Sequence, residues 1–327
     1  MKPSRVLEVL KTCVAAKRPT FLWGPPGVGK SDVMRLLARQ LDATLVDVRA
    51  LLLDPVDFRG IPQVTEENVT RWAPPAFLPR ENGPVLLFLD ELNAAPPLTQ
   101  AACYQLVLDR RIGEYTLPEN AIVVAAGNRE SDRAVVSRMP TPLANRFVHI
   151  DFEVDNDEWL TWARENGIQT EITAFIRWRP ELLHKFDPQR NEKAFPTPRS
   201  WEFVSQVLSA AKGSFDYDLV EGIVGEGAAS EFVGFLETYR NLPDIDEVIK
   251  HPDKAEVSDD PATLYAISGA IAQKANSENF ANVVAYVERL PVEFSVLTVR
   301  ESLDRDETLV ETRAFIEWTI KHKDFLV

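Results

Sequence analysis

The chain has 327 residues, 45% hydrophobic and 26% charged, which is an ordinary globular composition with room for two or three domains. No apolar run approaches the ~20 residues a bilayer crossing needs, so no membrane insertion is expected; the opening MKPSRVLEVLKTCVAAKR mixes Lys and Glu among its apolar positions, which excludes the core of a signal peptide. The net charge of −14 is uneven, with residues 1–150 at +2 and residues 151–327 at −16, a field that opposes sequence-independent nucleic-acid binding and favours a protein as partner.

In chain order, the opening segment predicts an amphipathic helix with Val6, Val9, Leu10, Cys13 and Val14 on one face. Four apolar runs follow, FLWG (21–24), TLVDV (44–48), VLLFLD (85–90) and AIVVAAGN (121–128). Each is apolar on both alternating faces and ends in a polar residue or glycine, as buried parallel strands do. Helical patterns lie between them over 30–41 and over 97–109, the latter marked by Leu98, Ala101, Ala102, Gln105 and Leu106. An α/β sandwich is the expected architecture. GIPQVTEENVTRWA (60–73) and RRIGEYTLPEN (110–120) have the form of β-hairpins and should project from the sheet. After HIDF (149–152) the strand signals fade: residues 155–238 read as helices, 241–262 as a Pro- and Asp-rich connector with one short helix, and the remainder as further helix. The expected domains are therefore 1–152 (α/β, nucleotide-binding), 153–240 (all-α) and 241–327 (a helical extension). Cys13 and Cys103 both sit in apolar helical patterns and read as buried thiols, which points to a reducing compartment, most simply the cytoplasm. The four histidines show no ligand spacing.

Two motifs carry chemistry. Gly24-Pro25-Pro26-Gly27-Val28-Gly29-Lys30-Ser31 satisfies the P-loop (Walker A) pattern. Its glycines let backbone N–H groups turn toward an anion at a helix N-terminus, Lys30 can reach the outer phosphates, and the Ser31 hydroxyl can ligate Mg²⁺. VLLFLDE (85–91) then ends a buried strand in two carboxylates, as a Walker B element does. Asp90 can serve the metal, and Glu91 can polarise an attacking water.

With GPPGVGKS, VLLFLDELNAAPP, AAGN, LANRFVHIDF and FPTPRSW in place, the chain resembles an AAA+ ATPase of the MoxR-like branch, related to CbbQ/NorQ-type activators. The resemblance covers roughly residues 1–240. It implies a P-loop NTPase core whose parallel sheet is sandwiched by helices, then an all-α lid; the helical C-terminal extension carries no family motif. It also implies ATP and Mg²⁺ as cofactors. The two hairpins agree with a branch whose insertions face a central pore. Asn128 matches sensor 1, which helps orient the attacking water; read alone, it would be a turn cap. Arg146 matches an arginine finger that reaches the nucleotide of a neighbouring subunit; read alone, it would be a surface ion-pair residue, and Arg133 and Arg138 are rivals for the role. Arg199 matches sensor 2, with ordinary helix-start chemistry as its alternative. Trp72 and Phe77 read either as contacts to a substrate or neighbouring subunit or as packing beneath the hairpin.

The resemblance implies ATP hydrolysis in a homo-hexameric ring that remodels or activates a partner protein in a chaperone-like manner, such as one with a von Willebrand factor A domain. The alternative is a DNA-acting AAA+ motor or loader, which the charge balance disfavours.

Overall fold

The structure is a computed structural model and describes residues 1–80, 83–132, 139–190, 192–211 and 216–323. By compactness the chain divides into two units, Met1–Glu158 with Phe186–Asn191, and Trp159–Lys185 with Glu192–Val327.

The first unit is built on β1 (Thr20–Trp23), β2 (Thr44–Arg49), β5 (Val85–Asp90), β8 (Ala121–Gly127) and β9 (Val148–Asp151). They form one five-stranded sheet in the order β2-β5-β8-β1-β9, and every pairing is parallel. The two short hairpins stand apart as separate sheets, β3 (Ile61–Val64) with β4 (Thr70–Ala73), and β6 (Arg111–Ile112) with β7 (Tyr115–Thr116). The central strands β5 and β8 are buried almost throughout, which explains why they read as unbroken apolar runs.

Helices cover both faces. On one, Val6 and Leu10 of α1 (Pro3–Ala15) and Met34 and Leu37 of α2 (Lys30–Gln40) pack on Leu22, Leu86, Phe88, Val124 and Ile150. On the other, Phe58 of α3 (Pro55–Arg59), Cys103, Leu106 and Val107 of α4 (Pro97–Asp109), and Leu143 of α5 (Thr141–Ala144) pack on Phe21, Leu87, Leu89 and Val123. This is the two-sided sandwich expected from the alternation. Helix α4 departs from its expected stripe. Thr99, Gln100, Cys103, Leu106 and Val107 face the core, while Leu98 is 73% exposed. Thr99 Oγ1 donates to the Leu53 carbonyl and Gln100 Nε2 to that of Ala95, while the buried Gln100 Oε1 has no hydrogen-bond partner among the described residues.

The second unit is all helical. It holds most of α6 (Asn156–Glu165), then α7 (Thr170–Trp178), α8 (Pro198–Ala210), α9 (Tyr217–Val224), α10 (Glu226–Arg240), α11 (Ile245–Lys250), α12 (Pro261–Lys274), α13 (Phe280–Val287), α14 (Val292–Arg305) and α15 (Arg313–Lys321). The connector over 241–262 contains one short helix, α11, as its composition implies. Helix α12 packs along α7 and α10, close enough that a Cβ on Gly269 would meet Ala174 and Thr170 of α7 at 3.3 and 3.4 Å. Residues on either side of position 240 therefore share one compact body. Among the described residues, no helix is long and apolar enough to cross a membrane.

Candidate functional site

The chemistry-bearing residues of the first unit gather at the carboxyl ends of β1, β5 and β8, the end of a parallel sheet where ligands bind. After β1 the chain turns through the P-loop, where Gly27 and Gly29 adopt φ of 76° and 95°. Those are left-handed values that a side chain would strain, and Gly29 in that state is the N-cap of α2. Lys30 opens the helix. Its ammonium donates to the carbonyls of Gly24 (2.7 Å) and Pro25 (2.9 Å) and to Oδ1 of Asn128 (2.8 Å). The loop's base is tied to the sheet by the Gly24 N–H, which donates to the Gly127 carbonyl at 3.2 Å. Val28 points inward and is buried.

At the end of β5, Asp90 accepts from the Ser31 hydroxyl at 3.1 Å through Oδ2 and from the Glu91 N–H at 2.9 Å through Oδ1. Glu91 is half-buried and left-handed, with φ 54° and ψ 31°. That conformation is unusual for a residue with a Cβ and ends the strand abruptly beside the P-loop. Two hard oxygen donors, Ser31 Oγ and an Asp90 carboxylate oxygen, thus meet beside the loop's lysine, a donor set that fits Mg²⁺.

The structure brings together Lys30, Ser31, Asp90, Glu91 and Asn128. Arg146, after α5, is exposed and forms no ion pair among the described residues. Arg133 and Arg138 lie outside the described residues. Arg199 is the second residue of α8 in the second unit and is exposed; the helix start is capped by Thr197, whose hydroxyl accepts from the Ser200 N–H. Phe77 packs on the core and meets Phe58 edge-on at 5.7 Å, while Trp72 carries the Arg59 guanidinium over its ring at 4.1 Å.

Three neighbours of the site were not singled out from the sequence. Asp47 on β2 lies near Asp90, and partial burial first and the Asp90 charge second push its carboxyl above the usual range, against Arg35 and Arg49. His149 accepts from the Trp23 indole N–H at Nδ1 (2.8 Å), which leaves Nε2 to donate to the Ala144 carbonyl (2.8 Å). It thereby links the residue before the P-loop to the turn that carries Arg146. Asn93 is 2% exposed and donates through Nδ2 to the Asn128 carbonyl at 2.7 Å. The His149–Trp23 and Asn93–Asn128 hydrogen bonds and the Asp47–Asp90 approach each join residues 35 or more positions apart, so no local pattern marks them.

Residues 20–153 match the family described as ATPase family associated with various cellular activities (AAA). Over those residues the chain is similar to AAA ATPase domains. Among curated relatives, the ATPase family gene 2 protein homolog B of Mus musculus is 38% identical over 110 residues, and that of Homo sapiens is 35% identical over 148. The matches span 34% and 39% of this chain but only 13% and 19% of those proteins. Midasin of Giardia intestinalis is 26% identical over 169 residues, 49% of this chain and 3% of its own. Among solved structures, the Thermotoga maritima RuvB Holliday junction branch migration motor aligns over 82% of this chain and 80% of its own, with 17% identity and a TM-score of 0.40. NtrX from Brucella abortus in complex with ADP aligns over 99% and 68%, with 14% identity and a TM-score of 0.44. The residues matched by the AAA model hold the α/β fold with its five-stranded parallel sheet, and a helical C-terminal region follows them.

Proposed function

We propose that the chain hydrolyses ATP and uses the cycle, as a ring of identical subunits, to remodel or activate a partner protein. The observation that carries the first half is the convergence of Lys30, Ser31, Asp90 and Asn128 on one P-loop, with Glu91 on the next residue of the chain.

Lys30 grips the outer phosphates with a charged three-donor head. Ser31 and Asp90 would hold Mg²⁺, which neutralises phosphate charge when bound. Glu91 accepts a proton from the attacking water, and Asn128 fixes that water's direction. Arg146 reaches the nucleotide of an adjacent copy and meets charge as it develops on the transferred phosphoryl group. Arg199 is the proposed second sensor. Such a finger makes turnover depend on assembly, and its loss after hydrolysis releases an interface, a standard route from phosphate chemistry to rigid-body motion. The family resemblance favours a hexamer and a client in the manner of MoxR-like activators, and the −16 charge of residues 151–327 suits a protein partner better than nucleic acid.

The test is phosphate release by the wild-type chain and by Glu91→Gln. We expect the variant to keep ATP affinity by calorimetry and to lose turnover by about 100-fold or more, the scale of a general base. A wild-type chain that binds no ATP, or a variant as fast as wild type, contradicts the reading. A gel-shift on duplex DNA at physiological salt separates the motor alternative, which requires tight binding there.

A further inference from the structure

The phrase LDELNAAPP contains an asparagine that the proposed hydrolytic roles leave unused. Asn93 lies in the turn of 3-10 helix over Leu92–Ala94, directly after Glu91. It is a polar side chain with 2% exposure, on a turn whose Leu92 and following Ala95 are both fully buried. Burying a carboxamide costs free energy unless it is hydrogen-bonded, so its partner is informative. That partner is the main-chain carbonyl of Asn128, at 2.7 Å, the residue whose side chain accepts from Lys30. A second observation comes from the other side of the contact. A Cβ placed on Gly127 would fall 1.9 Å from Asn93 Oδ1 and 2.6 Å from its Cγ. Glycine at 127 is therefore the condition for the Asn93 carboxamide to lie flat against the end of β8.

Resting on the ATPase reading above, we propose that Asn93 is a positioning residue, a strut that sets the backbone of Asn128 relative to Glu91 so that base and water-orienting amide keep one register. The chain of contacts is continuous: Glu91 and Asn93 are two residues apart on one short turn, Asn93 holds the Asn128 carbonyl, and the Asn128 carboxamide meets Lys30. A displacement of about 1 Å in such an array is enough to cost on the order of 100-fold in rate. The strut acts on geometry and touches neither phosphate nor water, so it should govern kcat and leave ATP affinity alone.

Two variants separate this role from plain packing. Asn93→Leu keeps the branched shape and removes the donor. It should retain ATP affinity within about twofold and lose kcat by about tenfold, one buried hydrogen bond's worth. Amide hydrogen exchange over residues 127–132 should rise by a similar factor without nucleotide, with exchange in β5 unchanged. Gly127→Ala should lower the melting temperature by forcing the Asn93 carboxamide aside. Asn93→Ala combined with Gly127→Ala removes the clash with the carboxamide and leaves only the Phe21 Cζ contact at 3.0 Å, so melting recovers part of the way toward wild type while kcat stays low. Unchanged exchange and kcat in Asn93→Leu overturn the strut, as does a double variant in which kcat recovers together with melting. If the wild-type chain hydrolyses no ATP, the ATPase reading fails, and the nucleotide-free exchange result still decides the strut.

Discussion

An ammonium group has three donors, and that of Lys30 donates to two P-loop carbonyls and to the Asn128 amide oxygen. The motif GPPGVGKS is legible because glycine torsions, lysine and serine are dictated within eight residues. What lies across the sheet from it is not, and Asn93 and His149 escaped notice for that reason. Lys30→Met keeps the side-chain stem and removes the charge. It should weaken ATP binding in calorimetry by about tenfold or more, the scale of charge-assisted hydrogen bonds, and equal affinity would show that the lysine does not meet phosphate. Cys103 is a second residue whose environment makes a clear statement. Burial pushes its thiol up to about 12, so the reactive thiolate is scarce near neutral pH. In a Cys13→Ala chain, a thiol reagent at about pH 8 should label nothing until denaturant is added; rapid labelling of the native chain would show that the site opens readily.

At the scale of elements, the central strands and the hairpins were legible because their periods and turn residues are local. The inward face of α4 was not. Its apolar spacing points to Leu98 and Ala101, but the stripe that faces the core includes Thr99 and Gln100, each of which donates a hydrogen bond to a main-chain carbonyl. Nor does either hairpin announce its neighbour. The Trp72 backbone N–H donates to Glu114 at 3.4 Å and joins the two hairpins directly, while the Arg59 side chain lies over the Trp72 ring and its Cγ would be 3.5 Å from a Cβ on Gly113. In the second unit, Glu301 of α14 is buried and ion-paired with Arg177 of α7, while Arg164 of α6 pairs with Asp304 of α14. Glu301→Leu leaves Arg177 without its partner and should cost about 3–5 kcal/mol in denaturant unfolding, as broken buried pairs do; a loss under ~1 kcal/mol, the range of surface pairs, would mean that water reaches the pair. Burial raises the Glu301 carboxyl above its ordinary range despite Arg177, Arg305 and Arg164. The folded state then holds that proton more tightly than the unfolded chain. The Glu301 contribution is therefore greatest below the ordinary carboxylate value and falls as pH rises through the raised one. Melting of Glu301→Gln compared with wild type over about pH 4–7 should show a flatter decline in the variant, and parallel curves would contradict the assignment.

At the scale of the molecule, an α/β unit that carries the P-loop is followed by a helical one, and the net charge goes from +2 over residues 1–150 to −16 over residues 151–327. The change of architecture near residue 155 was readable from the loss of strand patterns. The sharing of one body by helices on both sides of residue 240 was not, because it depends on packing between α7, α10 and α12 rather than on any local signal. The central claim is that Glu91 of one copy and Arg146 of the next complete a single catalytic centre. Mixing two chains tests it most directly: Glu91→Gln and Arg146→Ala are each expected to be inactive alone, and mixing equal amounts under assembling conditions should restore ATP turnover, since some interfaces then pair an intact Glu91 with an intact Arg146. A mixture as silent as its components, or an Arg146→Ala chain as active as wild type on its own, would contradict it.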